Sequence, residues 1–145
     1  MTDASAPHRI LVVCLGNYCR SPFAAVVLTR QGGQDLEVHS AGLVDKWVGG
    51  TAHPEMIAAA ESCGYDLTAH VPVQVNRAAL DRADLVLAMD QSVLDKLLLV
   101  CGDKNTPKIR LYLDGQDVPD PMDGPEDAFT ACARIIEVGA ARYLP

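Results

Sequence analysis

Apolar residues fall into continuous runs, alternations and helical stripes along this chain, and the changes of pattern mark its elements. Ile10-Leu11-Val12-Val13 is a continuous apolar run, as expected of a central parallel strand covered on both faces. Ser21 and Pro22 read as the N-cap and first residue of a helix running to Arg30, with Phe23, Val26 and Val27 as its stripe and Gly32-Gly33 as its stop. Glu37 to Ala41 predicts a short second strand, and Leu43 to His53, which has no period, a loop. Pro54 opens a helix with Ile57, Ala60 and Glu61 at helical spacing, closed by Gly64. Tyr65 to Val73 is expected to be irregular, because Pro72 disfavours helix at Val71.

Asn76 predicts the cap of a short helix across Arg77 to Ala83, and Leu85 to Met89 a third buried strand. Asp90 or Ser92 caps the next helix, where Leu94, Leu97, Leu98 and Cys101 form a core-facing stripe. Lys108 to Leu113 makes a fourth strand, and Asp114 to Pro125 a loop rich in Asp, Pro and Gly. The last helix sets Phe129, Cys132, Ile136, Gly139, Ala140 and Tyr143 on one face. Strands alternating with helices predict an α/β domain of the Rossmann-like or flavodoxin-like kind, with a four-stranded parallel sheet and helices on both faces. One domain is expected over residues 1–145, with Met1 to His8 as a loose tail.

Charge and cysteine usage narrow the function classes. A net charge of -7 is the wrong sign for a sequence-independent nucleic-acid binder or an anionic membrane surface. An acidic protein that binds an anion must make its positive potential locally. Met1 to Arg9 lacks the apolar segment of a signal peptide, and no run approaches the roughly 20 residues of a membrane span. The five cysteines show no CxxC pattern, so the expectation is free thiols in a reducing cytoplasm and no metal or cofactor.

The local chemistry concentrates in Cys14-Leu15-Gly16-Asn17-Tyr18-Cys19-Arg20-Ser21-Pro22, between the first strand and the first helix. Ligands bind beyond the carboxyl ends of strands in sheets of this kind, and this loop lies there. Successive loop amides and the helix N-terminus can cradle a phosphate, with Gly16 easing the turn. Arg20 offers a planar fork for two phosphate oxygens. The same field favours the thiolate of Cys14, the candidate nucleophile. Ser21 can cap the helix and donate to the sulfur as it leaves. Asp120, in Val118-Pro119-Asp120-Pro121, is the candidate that protonates the leaving alcohol and then activates water.

With these residues placed, the chain resembles the low-molecular-weight protein tyrosine phosphatases. The loop from Cys14 to Pro22 resembles their signature, and the likeness continues at Ser40-Ala41-Gly42, His53-Pro54, Gly64-Tyr65-Asp66, His70, Ala83-Asp84-Leu85, Met89-Asp90 and Asp120-Pro121. The resemblance implies hydrolysis of phosphotyrosine through a phosphocysteine on Cys14, with Arg20 and the loop amides binding phosphate, Asp120 as acid then base, and no metal. It implies that Asn17 holds the loop in shape with Ser40 and His70, and that Asp90 supports Arg20, although Asp90 also reads as a simple N-cap. Cys19 is either a redox guard that pairs with Cys14 or a small packing residue. Cys63, Cys101 and Cys132 read as inert core. Trp47, with Leu15 and Tyr18, resembles the aromatic wall of the substrate cleft, against the alternative of a loop anchor.

The chain departs from the family pattern in three places. Met122 and Asp123 follow Asp-Pro where many relatives have tyrosine, and Val71-Pro72-Val73 replaces a basic residue after His70. Tyr18 stands where relatives that hydrolyse phosphoarginine carry threonine. The bulky Tyr18 leans against that specificity, and protein arginine phosphatase stays as one alternative. Arsenate reductase on the same fold using an external thiol cofactor is a second; thiol-relay reductases carry a cysteine pair after the third strand where this chain has only Cys101. A non-catalytic phosphate-binding module is a third. The expected partner is a phosphotyrosine protein, and the expected state is a monomer.

Overall fold

A computed structural model describes residues 6–122 and 124–145, and the side chain of Glu126 is also outside that description. Most of the expected N-terminal tail, and Asp123, therefore lie outside the described residues. The first strand, β1, spans His8–Cys14 and so begins inside the stretch expected to be loose. It is followed by α1 (Arg20–Gly32), β2 (Leu36–Gly42), α2 (Pro54–Ser62), α3 (Arg77–Arg82), β3 (Leu85–Ala88), α4 (Gln91–Val100), β4 (Ile109–Leu111) and α5 (Glu126–Ala140).

All strand pairs are parallel, in the order β2-β1-β3-β4. Period-two alternation divides the core into two layers. Ile10, Val12 and Cys14 face a layer with Phe23, Val27 and Leu28 of α1, Met56 and Ala60 of α2, and Phe129, Cys132 and Ile136 of α5. Leu11 and Val13 face the opposite layer with Leu80 of α3, Val93 and Leu97 of α4, and Cys101 just after it. Full burial of each large side chain contributes roughly 1.5–3 kcal/mol.

Three helical stripes differ in phase from the sequence reading. In α1 the buried set is Phe23, Ala24, Val27 and Leu28, with Val26 only half-buried. In α2 it is Met56, Ala59 and Ala60, and Glu61 points outward. In α4 Val93 and Leu97 face the core while Leu98 is exposed.

The chain leaves β1 towards β2 on one side and reaches β3 on the other, so the strand order reverses beside β1. The loop after β1 sits at that reversal, where the crevice for a ligand lies in open α/β sheets. Gly42, paired with Cys14 at the end of β2, permits the approach. A Cβ on Gly42 would lie 2.6 Å from the Gly16 carbonyl carbon and 2.7 Å from the Asn17 amide nitrogen.

Candidate active site

Cys14 ends β1 with its side chain buried beneath the loop. Its Sγ lies 3.0 Å from Ser21 Oγ and accepts from the Asn17 amide at 3.2 Å. Helix α1 already begins at Arg20, with Cys19 in the N-cap position and no side-chain cap. The expectation that Ser21 caps this helix is therefore corrected. Starting the helix two residues earlier leaves the Ser21 hydroxyl facing the sulfur instead of the helix amides.

Asn17 shapes the loop. It carries the positive φ, 54°, that the sequence reading assigned to glycine freedom at Gly16. Its amide Nδ2 donates to Ser21 Oγ and Ser40 Oγ, both at 2.9 Å, and its Oδ1 accepts from Val73 N at 3.0 Å. His70 Nε2–H donates to the Asn17 carbonyl at 2.8 Å. Burial pushes the His70 ring below its ordinary pKa, against the opposing effect of that hydrogen bond. A neutral ring with its proton on Nε2 suits this contact. Gly16 is needed for another reason: a Cβ there would lie 2.2 Å from the Trp47 ring.

Arg20 is nearly fully buried and bridges three elements. Its Nη1 donates to Asp90 Oδ2 at 2.9 Å and to the Val118 carbonyl at 2.8 Å. Its Nη2 lies 3.9 Å from Asp120 Oδ2. Burial opposes the charge, but Cys14, Asp90 and Asp120 outweigh it and hold the guanidinium above its ordinary value. Asp90 unites the two roles that the sequence left as alternatives. Its Oδ1 caps α4 through Val93 N at 2.8 Å while Oδ2 receives Arg20.

The loop carrying Asp120 is tied to the same junction. Val118 N donates to Met89 O at 2.8 Å, and Asp117 Oδ1 accepts from Gln91 N at 2.8 Å. Asp120 is exposed, and its Oδ1 accepts from Met122 N at 3.0 Å, which aims the other oxygen towards Arg20. Sequence reasoning missed the Val118 carbonyl and the Met122 amide, since backbone groups leave no mark in side-chain pattern.

Leu15, Tyr18 and Trp47 face Asp120 and Met122 across a narrow cleft of about 20 Å³ above Cys14 and Arg20. Tyr18 stacks on Trp47 with centroids 4.7 Å apart and planes 9° from parallel, and Lys46 Nζ lies 4.9 Å from the Trp47 ring. Trp47 therefore lines the cleft and also covers the loop at Gly16. His53, read as a helix start, is the N-cap of α2, its Nδ1 accepting from Glu55 N at 3.1 Å. Its ring also packs between Tyr18 and Phe129, at 5.1 and 4.7 Å. Larger cavities lie along β2, but no cysteine lines them.

All five cysteines are free thiols. Burial, with Cys132 and Cys14 nearby, pushes the Cys19 thiol far above its ordinary value. Burial pushes Cys132 up to about 12. Cys63 is only half-buried, unlike Cys101 and Cys132. Among the described residues no three His, Cys, Asp or Glu side chains are grouped to hold a metal ion. Among them, too, no helix is long and apolar enough to cross a membrane.

Comparison with known proteins agrees over nearly the whole chain. Residues 9–144 match the profile of the family described as low molecular weight phosphotyrosine protein phosphatase. The low molecular weight protein-tyrosine-phosphatase Ptp of Acinetobacter johnsonii is 32% identical over 135 residues, covering 92% of this chain and 94% of that protein. A protein tyrosine phosphatase from Entamoeba histolytica superposes with a TM-score of 0.88 at 27% identity, covering 94% of each chain. Vibrio vulnificus Wzb, solved in complex with benzylphosphonate, superposes with a TM-score of 0.87 at 27% identity, covering 94% of this chain and 96% of that one. The chain belongs to the low molecular weight phosphotyrosine protein phosphatase family.

Proposed function

We propose that this protein hydrolyses phosphotyrosine in protein substrates through a phosphocysteine on Cys14. The observation that carries the reading is the convergence of the Cys14 sulfur, the buried Arg20 fork and the Asp120 carboxylate on one narrow cleft. Loop amides and Arg20 hold the phosphoryl oxygens, and Arg20 takes up charge as it spreads over them. The Cys14 thiolate attacks phosphorus in line; the S–P bond forms as the bond to the phenolic oxygen breaks, and Asp120 gives its proton to that oxygen. Water then attacks phosphorus, Asp120 takes a proton from it, and the S–P bond breaks with the Ser21 hydroxyl donating to the departing sulfur. Ser21 Oγ, 3.0 Å from Sγ, is within reach for that donation.

The flat Tyr18–Trp47 stack supports an aryl ester as the preferred substrate. Thiol-relay arsenate reduction has less support, because Cys101 packs on the opposite face of the sheet from Cys14. Free cysteines support a reducing compartment such as the cytoplasm, and we take the monomer as the working state. The test compares esters of different leaving-group quality. Asp120→Asn should slow an alkyl or tyrosyl phosphate about 10²–10⁴-fold, and an ester with a very good leaving group far less. Equal losses on both would remove Asp120 as the acid.

A further inference from the structure

Eight large apolar side chains stand exposed among the described residues, and four of them belong to the catalytic loop and the loops that hold it. These are Leu15, Val48, Val71 and Val73, exposed by 39%, 49%, 54% and 47%. Backbone hydrogen bonds join their segments: Val44 N to Leu15 O at 3.0 Å and Gly49 N to Pro72 O at 3.2 Å. The surface starts inside the cleft, where Leu15 and Trp47 are wall residues. It passes over Val48 and ends at Val71 and Val73, which line a groove of about 530 Å³ floored by Val38 of β2. Charges along it offset one another. Asp45 adjoins Lys46, and the groove holds one arginine, Arg30, and one aspartate, Asp66. The opposite wall carries the exposed carboxylate of Asp120.

We propose that this strip docks the substrate polypeptide and selects phosphotyrosines flanked by branched aliphatic or aromatic side chains. The inference rests on the phosphatase reading of the site. A polypeptide that presents phosphotyrosine to Cys14 has to leave the narrow cleft over one of its walls. Among the described residues, the exposed large apolar side chains next to the cleft all lie on the Leu15–Trp47 side. Three residues of extended chain span about 10 Å, so the side chains within about three positions of the phosphotyrosine are the ones set against this strip. Clustered exposed apolar side chains are uncommon on a soluble domain except where something binds. Binding energy gathered there, away from the reacting phosphorus, raises kcat/KM without altering the chemistry.

The test uses the full chain and three phosphotyrosine peptides of equal length, with Val/Leu/Phe, Ser/Gly or Asp/Glu flanks, beside an aryl phosphate with no flank. The apolar peptide should exceed the Ser/Gly peptide by about fivefold to tenfold in kcat/KM, chiefly through KM. Val48→Ser combined with Val71→Ser should erase that preference and leave the aryl phosphate rate unchanged. Equal kcat/KM for the three peptides, or a preference that survives in the double variant, would overturn the docking proposal alone. Failure to hydrolyse any peptide or the aryl phosphate would overturn the catalytic reading and the docking proposal with it.

Discussion

Replacing Asn17 by alanine tests whether the loop is held in its binding shape from behind. Asn17 is fully buried, and its side chain makes three hydrogen bonds, to Ser21, Ser40 and Val73. Alanine deletes all three, at about 1 kcal/mol each. It also places a Cβ at a φ of 54° without the local hydrogen bonding that lets asparagine tolerate that region, which adds about 1 kcal/mol. The expected loss is about 4 kcal/mol, a large share of the roughly 5–15 kcal/mol that holds a domain folded. Asn17→Gly separates the two contributions: it loses the same hydrogen bonds and accepts the positive φ, so it should be about 1 kcal/mol less destabilised. Urea unfolding with an unchanged slope measures both losses. Both variants should also lose about 100-fold in kcat/KM towards an aryl phosphate, because the loop amides no longer converge. An alanine variant within about 1 kcal/mol of wild type, or no worse than the glycine variant, would refute the reasoning.

Asp90→Asn should keep the α4 cap, since asparagine caps as well as aspartate, yet replace the charge facing Arg20 with an amide. Thermal stability should fall by only a few degrees while kcat/KM falls about 10–100-fold; a stability loss with unchanged kcat/KM would make Asp90 a cap alone. Cys14 oxidised by mild peroxide is expected to close a disulfide with Cys19, read by peptide mapping. Because the Cys19 pKa is raised, only a small fraction is thiolate near neutrality, and that fraction grows about tenfold per pH unit. Closure should therefore quicken with rising pH, and a terminally oxidised Cys14 beside a free Cys19 at pH 9 would count against the pairing.

The strands were legible because buried parallel strands write themselves as unbroken apolar runs, as in Ile10 to Val13 and Leu85 to Ala88. The loop was legible because its chemistry is carried by side chains placed close together in sequence, from Cys14 to Ser21. Helix phase was less so. Val93 and Leu97 of α4 face inward while Leu98 and Leu99 do not, and only the partner layer decides between neighbouring apolar stripes. The start of α1 was misread by two residues because Ser-Pro is a strong local signal, whereas the Ser21 hydroxyl meets the sulfur of Cys14, seven residues away. The clamp of the Arg20 side chain on the Val118 carbonyl and the tie from Val118 N to Met89 O both end on backbone groups far away in sequence. No pattern of side-chain types encodes them.

The central claim is that Cys14 carries the phosphoryl group between the two steps. Rapid acid quench of the enzyme turning over an aryl phosphate, followed by peptide mapping by mass spectrometry, tests it directly. The account predicts one phosphoryl group on the Cys14 peptide during turnover, and no turnover in Cys14→Ser under the same conditions. Continued hydrolysis by Cys14→Ser, with no phosphoryl group on the wild-type Cys14 peptide, would contradict it.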